Sequence, residues 1–144
     1  AVQAIAAYVP VNNRSQMTRT QRNTLIVDAY NANPTSMAAA LGNFENVSAP
    51  VKVAMLGDML ELGEESQAEH EEVIRSAASK GFTKVYFVGG EFKAASKGIE
   101  SDDMLYFQTS DELAAYLQEN PLDDALILIK GSRGTRMEKV IPVL

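Results

Sequence analysis

The stretch Ala125-Leu126-Ile127-Leu128-Ile129 is an almost unbroken aliphatic run, and the basic segment Lys130-Gly131-Ser132-Arg133 follows it directly. A strand that is apolar on both faces is typical of a parallel sheet covered by helices on both sides. Shorter apolar runs precede it along the chain, and we predict a strand at each of them. These runs are residues 24–27, 51–56, 85–88 and 104–107.

Stretches with helical periodicity alternate with the strands and begin near residues 34, 64, 91, 111 and 137. In the first, Met37, Leu41, Phe44 and Val47 form a core-facing stripe, and in the second we expect an inner line of Ala68, Val73, Ala77 and Phe82. This alternation predicts the α/β class: a Rossmann-like, open, mostly parallel sheet flanked by helices. We expect residues 1–23 to form a lead-in, with a helix at residues 1–8 and a hairpin or edge strand in the polar segment 14–22, and residues 24–144 to form the domain.

The composition narrows the class of function. The 144 residues are 46% hydrophobic and carry a net charge of -6, which describes one globular domain and argues against nucleic-acid binding. No apolar run approaches the roughly 18 residues of a membrane span. The absence of cysteine excludes disulfides and thiolate chemistry, and the single His70 excludes a multi-histidine zinc site, so we expect no metal site in this chain.

The positive charge gathers in two segments of an otherwise acidic chain. Arg14, Arg19 and Arg22 against Asp28 leave the first 36 residues at +2, and residues 130–139 carry +3. If the fold brings the two segments together, they make a basic pocket on an acidic body. If it does not, they are scattered solvated charges.

Ligands of open α/β sheets bind beyond the carboxyl ends of the strands, and this rule selects three loops, 28–36, 57–63 and 130–136. In the first, Asp28 suits ribose hydroxyls or the water shell of a metal, Tyr30 a base, and Asn31 and Asn33 other polar groups. Equally, Asp28 and Asn33 are common turn and cap residues. Asn33 before Pro34 also predicts a helix start, whose free N–H groups would face an anion.

In the second loop, Asp58 and Glu61 could receive an ammonium group while three large apolar side chains shape a pocket, or those side chains could simply fill the core. His70 follows on a helix, where a surface position is commoner than a catalytic one. In the third loop, Lys130, Ser132 and Arg133 suit a carboxylate or phosphate. The chain contains no P-loop string and no dinucleotide-binding glycine fingerprint. We therefore expect it to supply only half of a ligand-binding site, with the other half outside these residues.

These loops resemble, in the same order, the C-terminal domain of the Mur ligase family. The matching strings are DAYNANPTS at 28–36, LGDMLELG at 56–63 with Ser66 and His70 after it, and KGSR at 130–133 with Met137-Glu138. Arg14-Ser15 resembles the family's Gly-Arg-Ser, with Asn13 in place of the glycine. The resemblance covers essentially the whole chain.

The resemblance implies a three-domain ligase of the bacterial cytoplasm, of which this chain is the third domain. The central domain, absent here, holds most of the ATP and Mg²⁺ contacts, and the C-terminal domain closes over ATP and receives the incoming amine. The strings match best the activity that joins D-Ala-D-Ala to UDP-MurNAc-tripeptide through an acyl phosphate. The start at Ala1 without Met, inside a predicted helix, fits a chain cut from a longer one. We therefore expect it to be inactive alone, and to be monomeric with no nucleic-acid or membrane partner.

The resemblance also implies roles for individual residues. Arg14 is the candidate catalytic residue, on the ATP phosphates. Asp28 is assigned to the ribose, and the other nucleotide neighbours are Tyr30, Asn31 and Asn33. Charge and loop position assign the dipeptide ammonium to Asp58 and Glu61, and its carboxylate to Lys130, Ser132 and Arg133. His70 is left as a supporting residue.

Two alternatives stay open. One is a sibling ligase that adds lysine or diaminopimelate, although the DNPR string of those siblings is missing here. The other is a non-catalytic Rossmann-like module that binds a small molecule. A receiver module would need an acidic pair after the first strand, and a nicotinamide-binding module would need the glycine fingerprint; the chain has neither.

Overall fold

A computed structural model describes residues 16–28, 32–99 and 101–144. Within them, six strands form one sheet in the order β1-β2-β6-β3-β4-β5. The strands are β1 Gln16–Arg19, β2 Thr24–Asp28, β3 Lys52–Gly57, β4 Lys84–Val88, β5 Met104–Phe107 and β6 Leu126–Lys130. β1 pairs antiparallel with β2, and all other pairs are parallel.

The helices are α1 Pro34–Glu45, α2 Ser66–Ser79, α3 Gly90–Ala95 and α4 Ser110–Glu119, with 3-10 segments at Gly63–Glu65, Arg133–Thr135 and Met137–Val143. α1, α2 and α3 pack on one face of the sheet, where Leu41, Ile74 and Phe92 enter the core. α4 and the last 3-10 segment cover the other face through Leu113 and Val140. This arrangement confirms the predicted open, mostly parallel α/β sheet.

The sequence patterns located the elements to within one or two residues, with two instructive differences. The last predicted helix is a 3-10 segment, which contains Pro142 and therefore lacks one backbone N–H donor. In α2 the expected inner residue Ala68 is exposed, and His70 and Ile74 are buried with Val73 and Ala77. The expectation for Ala68 was wrong because a pattern that counts only apolar residues treats histidine as a surface residue.

β1 is an edge strand, one of the two possibilities predicted for the polar segment before residue 23. It pairs with β2 and so belongs to the same sheet as the other strands. The helix predicted at residues 1–8 lies outside the described residues. None of the helices in the described part of the chain has the length and hydropathy that crossing a bilayer requires.

The strand order creates a crevice at β6. The chain leaves β2 and β3 towards helices on one face, and leaves β6, which lies between them, towards the 3-10 segment on the other. Connections that diverge from adjacent parallel strands open the kind of crevice in which α/β proteins bind ligands.

Candidate functional site

The three loops selected from the sequence follow three neighbouring strands and meet at one edge of the sheet. Lys130 at the end of β6 lies beside Asp28 of β2 on one side and Leu56 of β3 on the other. The expectation that loops 28–36, 57–63 and 130–136 share one edge is therefore confirmed for the described residues.

Asp28 and Lys130 form an ion pair beneath this edge. The Lys130 ammonium donates to Asp28 Oδ2 at 3.0 Å, and the two side chains are 1% and 6% exposed. The pair joins the ends of β2 and β6. In this arrangement the two charges bind each other, and the separate ligand contacts assigned to them, ribose and carboxylate, stay predictions.

Asn33 begins α1 as the sequence indicated. Its side-chain oxygen accepts the Ser36 N–H at 2.8 Å, and the Ser36 hydroxyl accepts the Asn33 N–H at 3.0 Å, with Pro34 as the first helical residue. This reciprocal capping box satisfies two backbone donors and fixes where the chain turns after β2. The candidate residues Arg14, Tyr30 and Asn31 lie outside the described residues.

Asp58 connects the loop after β3 to α3. Its carboxylate accepts the Glu91 N–H and the Phe92 N–H, each at 3.0 Å, and so caps the first turn of α3. Gly89 permits this approach, since a Cβ there would lie 2.1 Å from the Asp58 carboxyl carbon and its φ is +121°. Burial raises the pKa of Asp58 above its usual range, while the two N–H groups oppose that shift.

His70 is buried under the same loop, which corrects the expectation of a surface position. Its Nε2 accepts the Met59 N–H at 3.0 Å, and its Nδ1 lies 2.7 Å from the Ser66 carbonyl oxygen. Because a backbone N–H can only donate, Nε2 carries no proton and Nδ1–H donates to Ser66. The ring stands edge-on to Phe92, with centroids 4.6 Å apart. Its Nε2 is 3.9 Å from Asp58 Oδ1.

Ser132 ties the third loop to the second. Its N–H donates to the Asp58 carbonyl at 3.2 Å, and its hydroxyl accepts the Leu60 N–H at 3.1 Å. The backbones approach closely here, because a Cβ on Gly131 would lie 2.9 Å from the Gly57 Cα. The predicted substrate residue Ser132 therefore holds the loop that carries Asp58, and loops 57–63 and 130–136 form one hydrogen-bonded layer.

A groove of about 350 Å³ opens on this layer. Its lining includes Asp58, Leu60, Thr109, Thr135, Arg136 and Lys139. Leu60, which lines the groove, is 45% exposed. The predicted Glu61 and Arg133 are exposed on the same two loops but do not line the groove.

Arg136 and Lys139 are functional candidates that the motif reasoning missed, since it stopped at Arg133. The charge count contained the signal, because both residues belong to the +3 segment 130–139. The Lys139 ammonium lies 3.3 Å from Asp111, which also lines the groove, and the pair is exposed. The groove thus has a buried carboxylate at Asp58 and cationic side chains on its wall.

The hypothesis that the two positive segments meet is wrong for the arginines that the structure describes. Arg22 donates to the Val143 carbonyl at 2.9 Å beside the start of β2, and Arg19 precedes that strand. Lys130 lies at the other end of the sheet, about 13 Å away for four residues at roughly 3.3 Å each. The reason is topological, since the Arg19 and Arg22 segment enters β2 and Lys130 leaves β6.

No group of three or more metal-ligating side chains occurs among residues 16–28, 32–99 and 101–144.

The sheet and the crevice define a Rossmann-like α/β domain, and the candidate site lies beyond the carboxyl ends of its parallel strands. The family profile described as "Mur ligase, glutamate ligase domain" matches residues 13–133. The chain belongs to the Mur ligase family, and its likeness to the family's C-terminal domain is confirmed.

A sequence relative and two solved structures show which part of a longer ligase this chain matches. The UDP-N-acetylmuramoyl-tripeptide–D-alanyl-D-alanine ligase of Rickettsia prowazekii is 37% identical over 89% of this chain. A crystal structure of MurF from Acinetobacter baumannii superposes with a TM-score of 0.78 at 31% identity, over 93% of this chain and 30% of that one. MurF ligase from Thermotoga maritima in complex with ADP gives 0.73 at 25% identity, over 96% and 31%. The chain spans 29% of the length of the Rickettsia relative.

Proposed function

We propose that this chain is the domain of a D-Ala-D-Ala-adding Mur ligase that receives the dipeptide and closes over ATP in peptidoglycan precursor synthesis. The observation that carries the proposal is the hydrogen-bonded layer of loops 57–63 and 130–136, with a groove bounded by Asp58, Leu60 and Arg136. Its support from relatives is that the matched ligases are named for this dipeptide.

The reaction requires two chemical steps. The γ-phosphoryl group of ATP passes to the terminal carboxylate of UDP-MurNAc-tripeptide, which gives ADP and an acyl phosphate. The ammonium group of D-Ala-D-Ala loses a proton to solvent, and the resulting amine attacks the acyl carbon. The tetrahedral intermediate expels phosphate, and the nitrogen loses a second proton to solvent to leave the amide. In this proposal the rest of the ligase binds most of ATP and forms the acyl phosphate, and this chain binds D-Ala-D-Ala and positions its amine.

The groove offers the dipeptide complementary ends. The carboxylate of Asp58 favours its ammonium group, and Arg136 on the wall favours its carboxylate. Glu61 and Arg133 lie on the same two loops outside the groove and add charge of the same sign as these two residues. Leu60, half exposed at the rim, would cover the methyl groups. Holding the amine in this way raises its effective concentration at the acyl phosphate, which is the contribution expected of a substrate-positioning domain.

The loop after β2 faces the nucleotide in this proposal. Asp28 and Asn33 lie at the edge of the sheet next to Lys130, and Tyr30 and Asn31 belong to the segment between them. Arg14 is assigned to the ATP phosphates, where a cation delivered by a closing domain stabilises developing charge. ATP and Mg²⁺ are held chiefly by the central domain of the ligase, and the enzyme works in the bacterial cytoplasm.

The test is a titration of the ¹⁵N-labelled chain with D-Ala-D-Ala, with L-Ala-L-Ala as the matched control. We expect amide shifts at Leu60, Ser132, Arg136 and Lys139, and weaker or absent shifts with the L,L dipeptide. Shifts confined to the opposite edge, near Arg19 to Asn23, or equal responses to the two dipeptides would contradict the proposal.

A further inference from the structure

His70 is a buried titratable group that the proposed function does not use, since it touches neither the groove nor its expected ligands. It is fully buried on α2, and its two ring nitrogens are both engaged with backbone groups. One of these groups, the Met59 N–H, belongs to the loop between Asp58 and Leu60, the two residues of that loop that line the groove.

The loop is fixed by three consecutive backbone positions. Ser132 holds the Asp58 carbonyl and the Leu60 N–H from one side, and His70 holds the Met59 N–H between them from the other. Hydrogen bonds from both sides restrict the loop to one conformation. Loss of the His70 acceptor would leave the buried Met59 N–H without a partner. The hydrogen bond at Met59 therefore helps to fix the positions of Asp58 and Leu60, its neighbours in the chain.

The ring itself is held in one tautomer and one orientation. Nδ1–H donates to the Ser66 carbonyl one helical turn earlier, and Phe92 packs edge-on against the ring. The Ser66 hydroxyl also donates to the Glu91 carboxylate, which joins α2 to α3. The same turn of α3 is capped by Asp58.

We infer that His70 is a positioning residue for the groove: its neutral Nδ1–H tautomer holds Met59, and through it sets Asp58, Leu60 and Ser132 for the dipeptide. The inference rests on the proposed function for the identity of the ligand only. The positioning itself is a property of the chain without ligand.

This contact depends on protonation. A proton on Nε2 would face the Met59 N–H donor, so the imidazolium cannot keep this bond. Two carboxylates face the network from other elements, Asp58 from the loop and Glu91 from α3. Asp58 Oδ1 lies 3.9 Å from Nε2 and can accept the new N–H. Protonation of His70 should therefore release Met59 and draw Asp58 from its cap on α3.

The sequence makes this directly observable, because the chain contains one histidine. With ¹⁵N in histidine only, the ring gives a single pair of nitrogen signals. We expect a protonated Nδ1 and an unprotonated Nε2 while the ring is neutral. In a uniformly labelled sample, the Met59, Leu60 and Ser132 amide signals should move with the same midpoint as the ring. Amides that stay fixed through that titration, or an Nε2–H tautomer, would overturn the inference.

Two variants of His70 distinguish loss of its hydrogen-bond acceptor from a change in side-chain volume. His70→Gln keeps an acceptor near Nε2 and His70→Phe keeps a ring without one. We expect the Phe variant to shift the Leu60 and Ser132 amides and to weaken D-Ala-D-Ala binding by about tenfold, and the Gln variant to stay within about threefold of the unchanged chain. A Phe variant with unchanged loop signals and affinity would overturn the inference, and if that variant does not fold, the pH titration of the unchanged chain decides.

The failure of the proposed function is a different result. If the unchanged chain binds no D-Ala-D-Ala, the proposed function is wrong. His70 positioning is then decided by the ligand-free signals of Met59, Leu60 and Ser132, whose movement with the ring supports it and whose constancy overturns it.

Discussion

At the residue scale, the carboxyl edge of the sheet is organised by charged groups whose partners are inside the protein. Lys130 and Asp28 illustrate this, because both are nearly fully buried and their charged atoms are 3.0 Å apart. A buried charge that has lost its partner is costly, since neither water nor another ion compensates it. The pair therefore makes the ends of β2 and β6 depend on each other.

Lys130→Met should destabilise the protein by about 3–5 kcal/mol, because it leaves the Asp28 carboxylate buried and unpaired. Lys139→Met is the matched control, since Lys139 forms an exposed pair with Asp111 and the same substitution there should cost about 0–1 kcal/mol. Urea denaturation of the two variants measures the difference. Equal decreases in the free energy of unfolding would show that the buried pair contributes no more to stability than the exposed one.

Asp58 gives a prediction with a defined pH direction. Its pKa is raised by burial, so its contribution to folding is fully present below its ordinary value of 3.8 and is lost as the pH rises through the raised pKa. Asp58→Asn does not titrate and loses one of the two acceptors for α3, which should cost about 1–2 kcal/mol at pH 7. The stability gap between the unchanged chain and the variant should narrow as the pH is raised from about 4 to 7. A gap that widens over that range in denaturation curves would show that the pKa is lowered.

At the element scale, short connections between strand ends and helices place the groove. α3 begins directly after β4 and is capped from another strand's loop by Asp58, which lies in space that only a glycine leaves open. The loop after β3 is in turn anchored on α2 and on loop 130–136. The wall of the groove is therefore made of backbone held by neighbouring elements.

Gly89→Ala should destabilise the fold by about 2–4 kcal/mol, because the methyl group would overlap the Asp58 carboxylate and the backbone conformation is unfavourable for alanine. Gly42→Ala in α1 is the control, because nothing lies within 4 Å of a Cβ there. That change should be neutral or stabilising by up to about 1 kcal/mol. Thermal unfolding of both variants distinguishes a steric cost at Gly89 from a general effect of added methyl groups.

The sequence was sufficient for the elements and for the edge at which the site lies. Aliphatic runs such as 125–129 and the Asn33-Pro34 cap depend on local patterns, and the structure has both as predicted. The roles of His70 and Lys130 could not be predicted, because each depends on a partner in a distant element, Met59 and Asp28. The charge count marked the segment that contains Arg136 and Lys139, but not their place in the groove, because the wall they share with Thr109 forms only when α4 packs beside the last loop.

At the scale of the whole molecule, an acidic chain presents a groove with cations on one wall beside a buried carboxylate. The chain spans less than a third of the length of the ligases it matches. In the proposed division of labour the acyl phosphate is made elsewhere in the ligase and this chain delivers the amine.

The purified chain should therefore show no ATP hydrolysis and no amide formation above the background without protein, with or without D-Ala-D-Ala and UDP-MurNAc-tripeptide. The reason is that it has no P-loop string and its described residues hold no metal-ligating cluster. Phosphate release and mass analysis of the nucleotide product measure this, with a complete relative as the positive control. Turnover by the chain alone would contradict the half-site assignment.

The most direct measurement of the proposed role is a segment exchange, in which this chain replaces the matching segment of the Rickettsia relative. The exchanged ligase is given UDP-MurNAc-tripeptide, ATP and an equal mixture of D-Ala-D-Ala, lysine and diaminopimelate, and the products are weighed by mass spectrometry. We predict the D-Ala-D-Ala product in clear excess. A product carrying lysine or diaminopimelate, or no product from a folded exchanged ligase whose parent is active, would contradict the assignment of this chain as the dipeptide-receiving domain.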